Sequence, residues 1–183
     1  MSSPAAAKPV AVEHYLSNPE YEHFEYVDGS PVELNVGSGQ HSIVQVNCAV
    51  LLANYLKQNR IGRAATELRC RVQVRGHTRF YLPDVCVVLG GDELLQTDTK
   101  FLKRSPDLVV EIRSPDDSLP RLFRKIDDYI ANGTKIAWLI LPEDQCVFVL
   151  APNAPMGTAL TGETLDGGDL LPEFRIPVDE LFS

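Results

Sequence analysis

The clearest hydrophobic pattern in the chain is a pair of short apolar segments that each carry an acidic residue. The first segment, 83–89, contains Asp84, and the second, 107–113, contains Glu111. Both segments are rich in β-branched residues and are bounded by Pro or Gly, so we expect two largely buried strands. A buried carboxylate costs free energy unless it is paired. Asp84 and Glu111 could therefore share one divalent cation between neighbouring strands.

Ahead of the first acidic segment, the pattern predicts a short helix, a hairpin and a longer helix. The short helix is expected over 12–18. Strands over 24–27 and 32–36 are joined at Asp28-Gly29, which is a strong hairpin signal. The longer helix is expected over 41–58, where apolar residues recur at helical spacing, namely Ile43, Val46, Val50, Ala53 and Leu56.

C-terminal to the first acidic segment, an irregular or briefly helical connection is expected over 92–104. After the second, a helix is predicted over 120–132, with Lys125 on its apolar stripe beside Leu122, Ile126 and Tyr129. We expect Lys125 to face the sheet. The alternative is a lysine whose stem covers the edge of the core while its ammonium reaches water. Strands over 136–141 and 146–150 follow, then a hairpin from residue 158 and a short closing segment.

A basic block precedes the first acidic segment. Residues 57–79 contain seven basic residues and one acidic residue, Glu67, although the net charge of the chain is −8. That overall charge argues against a general nucleic-acid binder. Within the block, 68–74 alternate apolar and polar side chains, which predicts a strand with one basic face, and 76–79 are expected to turn into the Asp84 strand. That face either contacts nucleic-acid phosphates or is simply solvated, and its candidate residues are Arg69, Arg71 and Arg75.

Composition and length are those of a globular protein. The chain has 183 residues, of which 44% are hydrophobic and 23% charged, so we expect one domain over 11–183 after a disordered stretch at 1–10. No apolar run approaches the roughly 20 residues of a membrane span. We therefore expect no membrane association and a cytoplasmic location. The four cysteines are scattered, so we expect buried thiols rather than a zinc site or a disulfide framework.

Two carboxylates and a lysine on neighbouring elements suit metal-assisted hydrolysis of a phosphodiester. The hard oxygen ligands of Asp84 and Glu111 are those that Mg²⁺ prefers, and Mg²⁺ retains several waters when bound. Such a metal acidifies one water and offsets charge in the transition state. Lys125 would then position the attacking water. The sequence thus indicates a catalytic set of Asp84, Glu111 and Lys125.

The order and spacing of these residues resemble a known superfamily. Pro83-Asp84, then Glu111, then Lys125 resembles the PD-(D/E)XK superfamily of restriction-endonuclease-like nucleases. Within it, the chain is similar to the Uma-two family of restriction endonucleases. The similarity covers about residues 10–183 and includes 24–29, His41, 106–111, 114–115, Tyr129, Gly133, 138–140 and 171–174.

This resemblance implies a fold and a metal site. The fold is α/β, with a restriction-endonuclease-like central mixed sheet flanked by helices and with the N-terminal hairpin added. The metal is Mg²⁺, or alternatively Mn²⁺. Asp84 and Glu111 match the family's metal-binding acids, and the backbone carbonyl of Ile112 matches a further ligand.

One residue departs from the superfamily pattern. Arg113 stands where that pattern has lysine. The resemblance implies that in this family the lysine comes from the following helix, where Lys125 stands. Arg113 could take part in catalysis by contacting phosphate, or it could pair with Asp116 or Asp117.

Three further residues are candidates for the same site. Glu25 resembles an extra catalytic acid that some members add from an early element, although an exposed strand glutamate is the alternative. Glu33 falls where the family is usually apolar and is the weaker candidate. His41 could cap the helix or line the cleft, or it could be a structural, hydrogen-bonded histidine.

The function expected from these features is Mg²⁺-dependent endonucleolytic hydrolysis of DNA. Two alternatives from other classes stay open. One is a nucleic-acid-binding module that keeps the fold without turnover, and the other is a protein-interaction module whose acids form structural ion pairs. DNA is the expected partner, and a homodimer is a further expectation because many nucleases of this fold cut two strands as symmetric dimers.

Overall fold

The computed structural model describes residues 9–35, 37–96 and 100–183, so the stretch expected to be disordered lies mostly outside the described residues. The helices are α1 (Val12–Ser17), α2 (Gly39–Asn59), α3 (Leu119–Ala131) and α4 (Asp179–Phe182). The strands are β1 (Phe24–Val27), β2 (Ser30–Glu33), β3 (Gly62–Thr66), β4 (Cys70–Val74), β5 (His77–Tyr81), β6 (Val85–Leu89), β7 (Leu108–Ile112), β8 (Ile136–Leu141), β9 (Cys146–Leu150), β10 (Gly157–Leu160), β11 (Thr164–Gly167) and β12 (Leu171–Pro177). Short 3₁₀ turns lie at Pro19–Tyr21 and Asp92–Leu95.

A mixed sheet of six strands forms the centre of the fold, in the order β10-β9-β8-β7-β6-β3. The pair β7–β8 is parallel and the other neighbours are antiparallel. The two acidic segments are neighbouring strands, as predicted, because β6 pairs with β7 in the register Val85 to Val110. Asp84 precedes β6 by one residue, so the same register places it opposite Glu111.

The central strand β7 is buried on both faces, which explains its continuous apolar sequence. On one face, Leu108, Val110 and Ile112 belong to a core that also contains buried residues of α2, α4, β11 and β12. On the other face, Val109 packs in a second core with the apolar stripe of α3. The sheet is therefore flanked by helices on both sides, which is the α/β architecture predicted from the sequence.

A second, antiparallel sheet lies beside the central one, in the order β2-β1-β5-β4. Its β1–β2 hairpin turns at Asp28-Gly29, where both residues have positive φ, 50° and 86°, as a type I′ turn requires. The tight turn pairs Val27 with Ser30 directly. The second hairpin strand is therefore Ser30–Glu33 instead of the predicted 32–36, and Val36 lies outside the described residues.

The buried face of α2 differs from the predicted one. Its buried side chains are His41, Val44, Cys48, Leu52 and Leu56. Of the predicted stripe, Leu56 is buried, whereas Ile43, Val46 and Val50 are exposed. Apolar residues occupy two sides of this helix, so their spacing alone could not decide which side packs on the sheet.

Two strands were not predicted, and several other elements were. Residues 76–79 were expected to be a turn, but His77–Tyr81 forms β5, and Gly62–Thr66 forms β3 at the edge of the central sheet. The basic strand begins at Cys70 rather than at residue 68. The predicted short helix, the helix that carries Lys125 and the two strands after it are present. The closing hairpin is also present, but it consists of β11 and β12 and begins at Thr164 rather than at residue 158, because β10 pairs with β9 in the central sheet.

The four cysteines are free and buried, as expected from their scatter. Among the described helices, none is long and apolar enough to cross a membrane.

Candidate active site

A pocket of about 290 Å³ opens at the edge of the central sheet where β6 begins and β7 ends. Its walls come from several elements: the first turns of α2, the hairpin strand β1, the ends of β6 and β7, and α3. The acidic and basic residues that line it include Glu25, Asp84, Glu111, Arg121 and Lys125. The predicted catalytic set therefore converges on a single cavity.

The Asp84 carboxylate is fixed to two neighbouring elements. Its Oδ2 accepts a hydrogen bond from the backbone N–H of Ile112 at 2.6 Å, and its Oδ1 lies 3.2 Å from Nε2 of His41. The side chain of Gln45 also donates to the Asp84 carbonyl at 3.0 Å. These contacts tie the start of β6 to the end of β7 and to the first turns of α2.

His41 is a buried residue that lines the pocket, and its Nε2 lies 3.2 Å from Asp84 Oδ1. It therefore lines the cleft and is also a hydrogen-bonded histidine, so both interpretations stay open. The helix cap comes from Ser38, whose Oγ accepts from the His41 N–H. The hydrogen bond to Asp84 raises the pKa of His41 although burial opposes the rise. A Cβ at Gly37 would lie 2.6 Å from His41 Nδ1, so a glycine is needed where the loop packs on the imidazole.

Lys125 is buried between two carboxylates. Its Nζ lies 2.6 Å from Glu25 Oε1 and 2.8 Å from Glu111 Oε2, and it donates to the Leu82 carbonyl at 3.3 Å. Relative exposures are 8% for Lys125, 1% for Glu25 and 3% for Glu111. An ammonium has three N–H donors, so these acceptors engage all of them. Lys125 faces the sheet, as its position on the α3 stripe predicted.

One buried cation does not neutralise two buried carboxylates. Burial raises the pKa of Glu111 to about 8; Lys125 opposes this rise, and the Asp84 and Glu25 carboxylates add to it. Burial alone would lower the pKa of Lys125, but the carboxylates of Glu111, Glu25 and Asp84 raise it above its ordinary value. The cluster therefore keeps a charged lysine, and the Glu111 carboxyl group holds its proton up to about pH 8.

The donor atoms at this site suit a hard divalent cation. Glu111 Oε1 is buried and has no hydrogen-bond partner within the described part of the chain. Leaving such an atom unsatisfied costs free energy that a cation would offset. No set of three or more His, Cys, Asp or Glu side chains in 9–35, 37–96 and 100–183 is arranged around one position. A cation would thus take two carboxylates and fill its other positions with a backbone carbonyl and water, as Mg²⁺ commonly does.

Arg113 and Glu33 lie away from this cluster. Arg113 forms an ion pair with Glu143, with 3.7 Å between Nη1 and Oε2, instead of the expected pair with Asp116 or Asp117. Among the described residues that line the pocket, neither Arg113 nor Glu33 occurs. Glu33 is an exposed residue at the end of β2.

Of the three candidate phosphate-binding arginines, only Arg71 lies within a strand. Arg71 lies within β4, whereas Arg69 precedes the strand and Arg75 follows it in a turn with φ of 49°. Arg69 donates to the carbonyls of Tyr21 and Glu22 at 2.7 and 3.1 Å. It therefore holds the N-terminal segment in place, while Arg71 donates to the Lys103 carbonyl at 3.3 Å.

Arg121 is a pocket residue that the sequence analysis did not single out. It lies four residues before Lys125 on α3, so both side chains are on one face of the helix. That spacing was the signal available in the sequence.

The fold resembles that of a solved protein of the restriction-endonuclease-like type. The structure is similar to a crystal structure titled as that of a "putative nuclease belonging to DUF820" from Anabaena variabilis, with a TM-score of 0.82 and 27% sequence identity. The alignment covers 95% of this chain and 98% of that one. The predicted fold class, with its central mixed sheet, is thereby confirmed.

The sequence itself identifies the family. The model of the Uma2 family, described as "Putative restriction endonuclease", matches residues 12–179, so this chain belongs to that family. A curated relative, an uncharacterized protein from Synechocystis sp. (strain ATCC 27184 / PCC 6803 / Kazusa), is 32% identical over 116 residues. That match covers 62% of this chain and 58% of the relative, which is less than two thirds of its length. The resemblance to the Uma-two family is confirmed.

Proposed function

We propose that this protein is a metal-dependent nuclease that hydrolyses phosphodiester bonds of DNA. The family and the structural neighbour support nuclease activity. The observation that carries the proposal is the placement of Asp84 and Glu111 opposite each other on paired strands, with Lys125 buried beside them. Pro83-Asp84, Glu111 and Lys125 would then form a PD-(D/E)XK site whose lysine comes from α3.

The carboxylates of Asp84 and Glu111 and the carbonyl of Ile112 would hold Mg²⁺ or Mn²⁺. When bound, such a cation offsets negative charge on the phosphate and makes a water more acidic. The Ile112 N–H fixes the orientation of Asp84, and the β6–β7 pairing fixes its separation from Glu111. The chain would thus provide a preformed pair of hard oxygen ligands.

Lys125 would act on the water or on the charge that develops at phosphate. All of its donors are engaged in the structure, so it must release one acceptor to do so. The Leu82 carbonyl, at 3.3 Å, is the longest of the three contacts. Glu25 makes the shortest, and we assign to it the role of positioning Lys125. We assign no catalytic role to Arg113 because its ion pair is with Glu143.

Binding of DNA to this pocket should depend on a divalent cation. The pocket lining contains five carboxylates, those of Glu25, Glu67, Asp84, Glu111 and Asp117. A phosphodiester is repelled by such a surface unless cations offset the charge.

A second candidate function is a binding module without turnover. It is favoured by the saturation of the Lys125 donors, because the network of Glu25, Glu111 and Lys125 is nearly closed without any ligand. In that case the acids would be structural ion-pair partners of the lysine.

A cleavage assay separates the two candidates. Supercoiled plasmid is incubated with Mg²⁺ or Mn²⁺ and wild type, Asp84→Asn or Asp127→Asn. Asp127 is exposed on α3 and serves as the matched control. The nuclease proposal expects cleavage by wild type and Asp127→Asn and its loss in Asp84→Asn. Absence of metal-dependent cleavage by the wild type, or equal cleavage by all three proteins, would exclude Asp84 as part of a nuclease site.

A further inference from the structure

Arg121 and Lys125 are the two permanently charged cations among the described residues that line the pocket, and they differ in availability. Lys125 is buried and its three donors already meet Glu25, Glu111 and the Leu82 carbonyl. An incoming phosphate therefore finds no open donor on Lys125. A different residue must make the first contact with the negative charge of the substrate.

The side chain of Arg121 is 49% exposed. Within the described ranges, its guanidinium makes one ion pair, in which Nη2 lies 3.6 Å from Glu25 Oε2. This separation exceeds hydrogen-bond length, so the half-exposed guanidinium is not hydrogen-bonded to the buried Glu25 carboxylate. Glu25 also keeps a closer cation, Lys125 at 2.6 Å. Arg121 can consequently leave Glu25 at little cost.

The position of Arg121 suits a phosphate at the pocket mouth. One turn of α3 separates it from Lys125, so its guanidinium extends outward from the same face that holds the buried lysine. A guanidinium presents five donors in a planar fork that matches two phosphate oxygens, which an ammonium cannot do. The pocket thus has a half-exposed guanidinium at its mouth and, at its base, a lysine whose three donors are all engaged.

We propose that Arg121 binds a backbone phosphate of the nucleic-acid substrate and holds it over the Asp84–Glu111 pair. This role rests on the proposed nuclease function and adds a substrate-binding residue to it. Arg121 would make the phosphate contact that the sequence suggested for Arg113. Arg121 is separate from the cation ligands, so its loss should leave metal affinity unchanged.

Binding measurements test this role apart from turnover. Fluorescence anisotropy with a labelled DNA duplex in Ca²⁺, a hard cation used to limit cleavage, compares wild type with Arg121→Gln, Arg121→Lys and Arg124→Gln. Arg124 is an exposed arginine on α3 that is not among the described pocket residues, so it is the matched control. Calorimetric titration with Mn²⁺ gives the metal affinity of each protein.

The expected result is specific to one position. Arg121→Gln should raise the Kd for DNA about tenfold or more, as expected for the loss of charge-assisted hydrogen bonds. It should also reduce the slope of log K against log salt by about 0.9. Arg121→Lys should keep the slope but bind more weakly than wild type, because it loses the fork. Arg124→Gln should match wild type in Kd, and Mn²⁺ affinity should be the same in all four proteins.

The measurements distinguish failure of the Arg121 assignment from failure of the nuclease proposal. If the wild type cleaves DNA while Arg121→Gln and Arg124→Gln have the same Kd and salt slope as wild type, the Arg121 assignment is wrong and the nuclease proposal stands. If the wild type neither binds DNA nor takes up Mn²⁺, the proposed function fails and the Arg121 assignment fails with it.

Discussion

The Asp84 carboxylate accepts the backbone N–H of Ile112 at 2.6 Å, so one candidate metal ligand is held by the strand that carries the other. This bond crosses from the start of β6 to the end of β7. The other Asp84 oxygen, Oδ1, lies 3.2 Å from His41 Nε2. Glu111 Oε1 has no hydrogen-bond partner in the described part of the chain. A hydrogen bond thus ties Asp84 to the strand of Glu111, and Glu111 has an unsatisfied oxygen, which is the arrangement expected of a preformed cation site.

Replacement of Lys125 by methionine tests the role of its charge. Lys125→Met keeps much of the stem, so it should spare metal binding while lowering the cleavage rate by about 10²–10³-fold, the usual effect of removing one electrostatic stabiliser. It also leaves two buried carboxylates without their cation, and breaking a buried pair costs about 3–5 kcal/mol. Single-turnover cleavage and urea unfolding measure the two effects. An unchanged rate in the folded variant would remove Lys125 from catalysis.

The hairpin offers a matched pair of glutamates for testing Glu25. Glu25→Gln removes the closest partner of Lys125, whereas Glu33→Gln changes an exposed residue on the adjacent strand. Because a small displacement of a catalytic group can cost up to about 10²-fold in rate, kcat should fall by up to that factor in Glu25→Gln. KM should change little, and Glu33→Gln should behave as wild type. Equal kinetics for both variants would contradict a positioning role for Glu25.

The metal-free protein should lose stability as pH rises. The pKa of Glu111 is about 8 in the fold against an ordinary 4.5, so the folded state holds this proton more tightly than the unfolded state. Its contribution to stability is full below about pH 4.5 and is lost as pH rises through 8. The raised pKa of His41 adds a slope of the same sign.

Melting temperatures in EDTA across this pH range measure the effect. Glu111→Gln should flatten the curve without abolishing the slope, since the His41 contribution persists. A wild-type curve that rises between pH 5 and 8, or a variant curve that is no flatter than the wild type, would contradict the assignment.

Two arginines of the basic block should respond differently to the same substitution. Arg69 donates to two backbone carbonyls and lies 4.9 Å above the Tyr15 ring, so Arg69→Gln should lower the free energy of unfolding by about 1–3 kcal/mol. Arg75 is exposed in a turn, and Arg75→Gln should leave stability within about 0.5 kcal/mol. Urea unfolding measures both. The reverse order would show that Arg69 does not anchor the N-terminal segment.

The elements predicted correctly are those whose apolar pattern has one interpretation. Strand β8 matches its predicted bounds because turn residues flank a continuous apolar run. Strand β5, His-Thr-Arg-Phe-Tyr, contains too few apolar residues to form an alternating pattern, and it exists because β1 and β4 pair with it. The stripe of α2 was misassigned because apolar residues lie on two sides of that helix.

The candidate site was partly predictable for similar reasons. Asp84, Glu111 and Lys125 could be grouped because neighbouring strands and one helical stripe constrain them. The contact between Glu25 and Lys125 depends on how the second sheet packs against α3, which no local pattern reports. Arg113 lies just past the end of β7, so the alternation of that strand does not fix its direction.

The most direct test of the metal site is calorimetric titration of Mn²⁺ into wild type, Asp84→Asn, Glu111→Gln and the control Asp127→Asn. Asp84→Asn keeps the size of the side chain but removes a hard anionic ligand, and Glu111→Gln does the same at the opposite strand. Binding by wild type and Asp127→Asn, with a large loss of affinity in the other two variants, is the predicted result. Equal Mn²⁺ affinity in all four proteins would place the cation elsewhere and contradict the central claim.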